Sequence, residues 1–326
     1  MGADAVGERV VVGGRGVVGG RGVVELAWPV DARRTLAPLG HGPHDPAFHV
    51  APDGAVWRAT RLPSGPATLR FSQTGPTSVE VVAWGDGAVA ALALAPGMVG
   101  ALDDASTFAP GVGVVRDAWR RTMGLRLGRS GQVLESLVPA ILEQRVVTRS
   151  AWEAWTWLLR RHGERAPGPT PVDMRVPPSA QTWAAVPVWD FHRAGVDPAR
   201  ARTVVAVARL AGRLEESVAI ADGPGGSEAA LERLRVVPGV GPWTAALVAQ
   251  RAWGDPDVVA VGDFHLPGQV GWALAGRRGV DDAGMLELLE PYRGHRQRVV
   301  RHLLAAGIAR LPRRGPRLAP ADHRRH

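Results

Sequence analysis

A chain of 326 residues with 45% apolar content exceeds the usual single-domain size and can bury two sizeable cores. All 39 Lys+Arg positions are arginine, against 31 acids, for a formal charge of +8; guanidinium groups suit phosphate oxygens, although a solvated arginine-rich surface gives the same composition. Zero cysteine excludes disulfides, thiolate zinc sites, a cysteine nucleophile and a cysteine-ligated iron-sulfur cluster, and with neither an 18-residue apolar run nor a leader pattern the expectation is a soluble cytoplasmic protein without membrane contact.

Residues 11–24 read VVGGRGVVGGRGVV, a hexapeptide written twice, in which Gly14, Gly16 and Gly19 happen to fit GxGxxG. A dinucleotide fold needs a helix opening on those glycines, and the Val-Val pairs and Pro29 that follow favour extended chain instead. Residues 1–22 therefore read as a flexible repeat or hairpin. From 23 to 108 a β-rich domain is expected, with short runs at Val23 to Trp28, Ala55 to Thr60, Ala67 to Phe71 and Val79 to Trp84 separated by Gly/Pro/Asp turns, the pattern of a small antiparallel sheet. His41, His44, Asp45 and His49 crowd one loop, but with glycine and prolines interrupting their spacing they read as a polar loop rather than a metal site.

After Pro110 the apolar spacing becomes helical. Helices are expected at 113–126, 132–145 and 150–162, the last with Ser150-x-x-Glu153 as a capping box. Beyond a proline-rich loop at 167–178, further helices are expected near 180–194, 198–217, 227–236, 242–253, 264–275, 281–290 and 293–309. The fold class is mainly α with an N-terminal antiparallel β domain, an α+β arrangement; 109–310 is all-α, and 311–326 reads as a disordered basic tail.

Leu231 to Ala246, LERLRVVPGVGPWTAA, spells a helix, a turn through Pro238-Gly239-Val240-Gly241, and a second helix opening on Pro242. The glycines permit a tight turn and close approach of a phosphate to backbone amides. Downstream, an apolar run from Asp257 ends in Asp263-Phe264-His265, 20 residues beyond Trp243. The hairpin followed by this aspartate resembles the helix-hairpin-helix DNA glycosylase superfamily, firmly over about residues 110–310 and loosely over the N-terminal sheet. Pro242-Trp243-Thr244-Ala245 is similar to the Arg-Trp-Thr-Ala of the DNA-3-methyladenine glycosylase II type, whereas bifunctional members hold a nucleophilic lysine at the Trp243 position, and this chain has no lysine.

The resemblance implies a helix-hairpin-helix glycosylase fold and a monofunctional enzyme that flips and excises alkylated purines. It implies Asp263 as the catalytic carboxylate, Trp243, Phe264 and Tyr292 around the base pocket, and Pro238, Gly239, Val240, Gly241 and Thr244 as the DNA-binding hairpin. Leu247 departs from the family, which can place an aromatic there. Gln144 and Arg145 fall in the loop that enters the DNA gap, with arginine where a leucine wedge is expected. No cofactor is implied beyond a structural monovalent cation on the carbonyls of Arg235, Val237 and Val240, and the partner is double-stranded DNA with damaged bases, bound by a monomer. From the residues alone, Asp263 is also a helix cap before Phe264, the aromatics are also core, His265 is structural, and His295 and His302 sit on an arginine-rich helix as surface or phosphate-side residues. A non-catalytic hairpin DNA-binding protein and a glycosylase for deaminated or oxidised bases are the alternatives.

Overall fold

The computed structural model describes residues 18–310. The first copy of the hexapeptide and the tail read as disordered lie outside the described residues. Five strands form one antiparallel sheet in the order β1-β5-β4-β3-β2, with β1 Val18–Glu25, β2 Phe48–Val50, β3 Val56–Leu62, β4 Gly65–Gln73 and β5 Ser78–Trp84. The β-branched and aromatic runs read as strands all contribute to it. Residues 18–22, read as part of a flexible repeat, instead belong to strand β1, and Arg21 pairs with Glu80 across the sheet.

Two helices belong to this unit, α1 Ala32–Leu36 and α2 Ala88–Met98. Asp31 caps α1 by accepting the Arg34 amide at 2.9 Å. α2 packs over β1, β4 and β5 and explains the tandem glycines: a Cβ on Gly19 would lie 2.3 Å from the Ala88 Cβ, and one on Gly20 2.5 Å from Leu92 Cδ1. Local periodicity does not announce α2, because its sequence is apolar nearly all round. Beneath it Leu36, Leu69, Phe71, Val81 and Met98 form one core.

The opposite sheet face, through Trp57, Ala59 and Trp84, joins a second and larger core with the helices that follow. These are α3 Val114–Arg121, α4 Val133–Leu142, α5 Thr148–His162, α6 Ala180–Ala185, α7 Val188–Arg193, α8 Pro198–Arg209, α9 Ala211–Glu215, α10 Ser217–Ala221, α11 Gly226–Arg235, α12 Pro242–Val248, α13 Leu266–Ala275, α14 Asp282–Leu289 and α15 Arg296–Ala305. Glu135 of α4 fastens the seam, accepting from Arg58 Nη2 at 2.8 Å, Thr60 Oγ1 at 2.9 Å and the Arg61 amide at 2.7 Å. Truncating it would strand a buried guanidinium, a loss of about 3–5 kcal/mol.

The span read as all-α also holds a two-stranded antiparallel sheet, β6 Glu164–Arg165 with β7 Arg175–Val176, the second strand lying within the expected proline-rich loop, and several expected helices are shorter or divided. Pro187 separates α6 from α7, since the residue before a proline avoids the helical region. The Ser150/Glu153 capping box does not form: α5 starts at Thr148 with no side-chain cap, and Glu153 accepts from Arg149 Nε at 2.8 Å instead. The His41 loop packs against α5 rather than lying in solvent, with His41 and Asp45 buried and Asp45 accepting from Trp155 Nε1 at 2.8 Å.

The helices divide into two lobes. Leu137, Ile141, Leu158, Val204, Leu234 and Val248 lie in the larger core with the sheet, and Val115, Val270, Met285, Leu289, Val299 and Leu303 make a third core of their own. α12 stands on the boundary, giving Ala245 and Val248 to one lobe and Ala246 to the other, with Trp243 and Leu247 leaning on the latter. It ends in a π-helical turn at Ala249–Trp253. No helix among the described residues is long and apolar enough to cross a membrane.

Candidate active site

The hairpin forms between α11 and α12 as its letters require. Val240 donates its amide to the Val237 carbonyl at 3.0 Å and closes the turn. Gly239 has φ +90, and a Cβ there would fall 2.2 Å from Thr203 Oγ1 on α8, so glycine is demanded by both conformation and space. Val237 and Val240 are buried as anchors, while Val236, Pro238, Gly239 and Pro242 face solvent. No side chain caps the start of α12, which leaves its first amides to an outside acceptor. Of the three carbonyls expected to hold a cation, that of Val237 already accepts one hydrogen bond and keeps its second lone pair; among the described residues no group of three or more His, Asp or Glu is placed to chelate a metal.

The loop between α4 and α5 is tied to this hairpin. Gln144 Nε2 donates to the Gly239 carbonyl and to Thr244 Oγ1, each at 2.9 Å. Gln144 is therefore turned toward the protein, whereas Arg145 stays exposed. Arg145 is also the one non-glycine residue of positive φ, +55, among the described residues. Its neighbours are held from three sides: Arg200 Nη1 donates to the Leu142 carbonyl at 2.7 Å, and Glu143 pairs with Arg251 at 3.5 Å and faces His41 Nδ1 at 3.8 Å. Burial raises the Glu143 carboxyl, but Arg251 and His41 outweigh it and hold it below its ordinary value.

Asp263 sits across from the hairpin helix. Its Oδ1 accepts the amides of His265 at 2.8 Å and Leu266 at 2.9 Å, and its Oδ2 accepts Trp243 Nε1 at 3.0 Å. The carboxylate thus both binds amides at the start of α13, which opens at Leu266 rather than at 264, and meets the tryptophan of α12. Asp255 turns the chain leading to it by accepting from Asp257 and Val258 amides at 2.8 and 2.7 Å. Asp257 accepts the amides of Gly294 and Arg296 at 2.7 and 3.0 Å and pairs with the Arg296 guanidinium, so the loop bearing Tyr292 is pinned to the same segment. Burial raises Asp257, and the Arg296 bonds more than offset it.

The aromatic residues are not brought together as expected. Trp243 and Tyr292 are half-buried against the third core, beside Leu247, and burial pushes the Tyr292 hydroxyl up. Phe264 is 84% exposed and meets only the edge of His265 at 4.9 Å, so it does not line a closed pocket with the other two. Its backbone lies in the turn whose amides Asp263 gathers, and that turn aims residue 264 outward. His302, read as a surface or phosphate-side residue, is buried: it stacks on Phe108 and bonds Thr122 Oγ1 at 2.6 Å.

Four participants escaped the sequence reading: Glu143, Asp257, Arg296 and Asp282, whose carboxylate accepts the Gly262 amide at 3.1 Å. All act on residues distant in sequence. The Asp281-Asp282 pair signals a helix start, and only Asp281 acts as the cap.

No family profile matches the chain. Over 143 residues it is 31% identical to a Mycobacterium tuberculosis protein described as "Probable bifunctional transcriptional activator/DNA repair enzyme AlkA", a match covering 44% of this chain and 28% of the relative. The chain therefore spans less than a third of that relative's length. Among solved structures, a 3-methyladenine DNA glycosylase from Archaeoglobus fulgidus superposes with a TM-score of 0.73 at 19% identity, covering 87% of this chain and 98% of that one. An 8-oxoguanine glycosylase/lyase from Clostridium acetobutylicum, in complex with DNA, gives 0.67 at 12% identity, covering 88% and 94%. The fold is that of the helix-hairpin-helix DNA glycosylases, with the antiparallel sheet at its N-terminal side.

Proposed function

We propose that this chain, folded as a helix-hairpin-helix DNA glycosylase, is a monofunctional enzyme that removes alkylated purines from double-stranded DNA in base-excision repair. One observation carries the reading: Asp263 is held by two backbone amides and the Trp243 indole at the boundary between the lobes, beside the exposed hairpin. The hairpin amides and arginines bind phosphates, and the damaged nucleotide leaves the stack at a cost of a few kcal/mol. Arg145, presented on its anchored loop, fills the gap.

Alkylation at N3 or N7 makes the purine cationic, so it departs with the glycosidic electron pair and needs no strong general acid. Trp243 and Tyr292 offer π faces to that electron-poor ring. Asp263 stabilises the oxocarbenium-like sugar and orients water, whose oxygen bonds to C1′ as the C1′–N bond breaks and whose proton passes to the carboxylate. A monovalent cation on the hairpin carbonyls would bridge protein to phosphate without chemistry. A lyase step needs an amine to form a Schiff base, and the absence of lysine supports hydrolysis alone, with an intact abasic site as product.

The test is base release from methylated duplex, with the bases identified chromatographically and borohydride trapping run in parallel. Release of 3-methyladenine or 7-methylguanine with no trapped adduct supports the proposal. Release confined to parallel duplexes carrying an oxidised or deaminated base would reassign the lesion. Binding without any release would make the chain a hairpin DNA-binding protein.

A further inference from the structure

Asp263 is fixed through its side chain by its own loop and by α12, but its backbone needs a separate restraint, because the turn before it is irregular. Val261 donates to Val259 and Asp263 donates to Ala260 at 3.3 Å, a long bond. Between them Gly262 has φ +90, and a Cβ built there would come no closer than 3.9 Å to the Trp243 Cβ. Glycine is thus required at 262 for its dihedral, and the peptide beside the catalytic aspartate has room to move.

What closes that freedom is Asp282, in the first turn of α14. Both oxygens of its carboxylate lie 3.1 Å from the Gly262 amide nitrogen. The helix does not need this side chain as its cap, because Asp281 accepts the Gly284 amide at 2.9 Å. Asp282 is free to reach off its own helix to the turn before Asp263. A charge-assisted bond to a backbone amide is about twice as strong as a neutral one, and α14 is itself packed on α13.

We propose that Asp282 is a positioning residue for the reaction: by holding the Gly262 amide it sets the backbone of Asp263, and through it the line from the carboxylate to the Trp243 indole. Its part is played through the protein backbone. The inference rests on the glycosylase reading for its kinetic consequence, while the geometry it asserts is independent of substrate. A displacement of about 1 Å in a catalytic group costs up to about 100-fold in rate, and a slackened turn predicts a part of that.

Two substitutions separate this role from a remote charge or a helix-start acid. Asp282→Ala removes both acceptor and charge; Asp282→Asn keeps a carbonyl oxygen for the Gly262 amide and removes the charge. The measurements are single-turnover excision from methylated duplex, affinity for abasic-site DNA, and the Trp243 indole and Gly262 amide resonances in a nitrogen-proton correlation spectrum. The alanine variant is expected to lose about 10- to 50-fold in excision rate, with abasic-site affinity within about twofold and both resonances displaced. The asparagine variant is expected to recover most of the rate and both resonances. Wild-type excision by Asp282→Ala, or asparagine falling as far as alanine in rate, would overturn the assignment. If the wild type releases no base, the glycosylase reading fails and the resonances still decide the clamp: unmoved Trp243 and Gly262 signals in a folded alanine variant would refute it. Should the alanine variant fail to fold, Asp282→Ser, whose hydroxyl is too short to reach the amide, is read in the same way.

Discussion

Replacing Asp263 with Asn alters one atom of the carboxylate, and the structure says which contacts that atom breaks. The two amide bonds from His265 and Leu266 converge on Oδ1, so the asparagine carbonyl takes that side and its NH2 faces the Trp243 indole, donor against donor where a bond of 3.0 Å had been. The flipped amide would save one bond and forfeit two. The stability loss is that of one charge-assisted hydrogen bond, about 1.5–3 kcal/mol at most because the side chain is half-exposed. The catalytic loss is larger: the sugar cation no longer faces a full negative charge, and one preorganised electrostatic group is commonly worth about 100- to 1000-fold. Single-turnover excision of an alkylated purine, with melting temperature and abasic-site affinity recorded alongside, measures both. Trp243→Phe is the companion, since it deletes the indole donor and leaves the charge; it should cost about tenfold, the range of one lost positioning contact. If Asp263→Asn excises within a few-fold of wild type while losing the Trp243 bond, the carboxylate is a cap and the mechanism is wrong.

Three other outcomes are expected. Arg145→Gly should raise stability by about 1 kcal/mol in denaturant titration, because a left-handed φ that strains arginine suits glycine, yet weaken abasic-site binding more than intact-duplex binding; equal losses on both would make Arg145 a phosphate contact. Burial, then the charges of Arg298 and Arg301, depress His302 from 6.5 to about 4, so its contribution is complete above about pH 6.5 and is lost as pH falls toward 4, on the order of 3 kcal/mol. His302→Asn, whose amide can still serve Thr122, should flatten that part of the stability profile, and an unchanged profile would show His302 titrating normally. Affinity for undamaged duplex should fall steeply between about 50 and 200 mM salt if arginines and hairpin amides bind phosphate; salt-independent affinity would contradict that footing.

What the sequence revealed was local. Pro238-Gly239-Val240-Gly241 with Pro242 announces a turn between helices because each residue has a conformational reason to be there, and the turn formed. The β-branched runs became strands for the same reason. α2 stayed hidden because its letters are apolar nearly all round, so the face it buries is not marked by a stripe, and Ser150 misled because the helix begins before it. At the site, Asp263 and Trp243 were legible through resemblance and their spacing, but the bond between them was not. Gln144 could be placed beside Arg145 in the loop that enters the DNA gap, but its bonds to Gly239 and Thr244 could be known only once α4 and α12 were side by side. Phe264 shows the converse: adjacency to Asp263 in sequence says little about which way the ring faces.

The duplicated hexapeptide has a genetic consequence. Its two copies are identical letter for letter, so a six-residue deletion by replication slippage yields the same polypeptide whichever copy is lost. That product keeps paired glycines beneath α2, an arginine within reach of Glu80 and two valines before Glu25. The edge strand of this sheet is thus written in a form that tolerates loss of one repeat, since the letters that would enter β1 are the same as those that leave it.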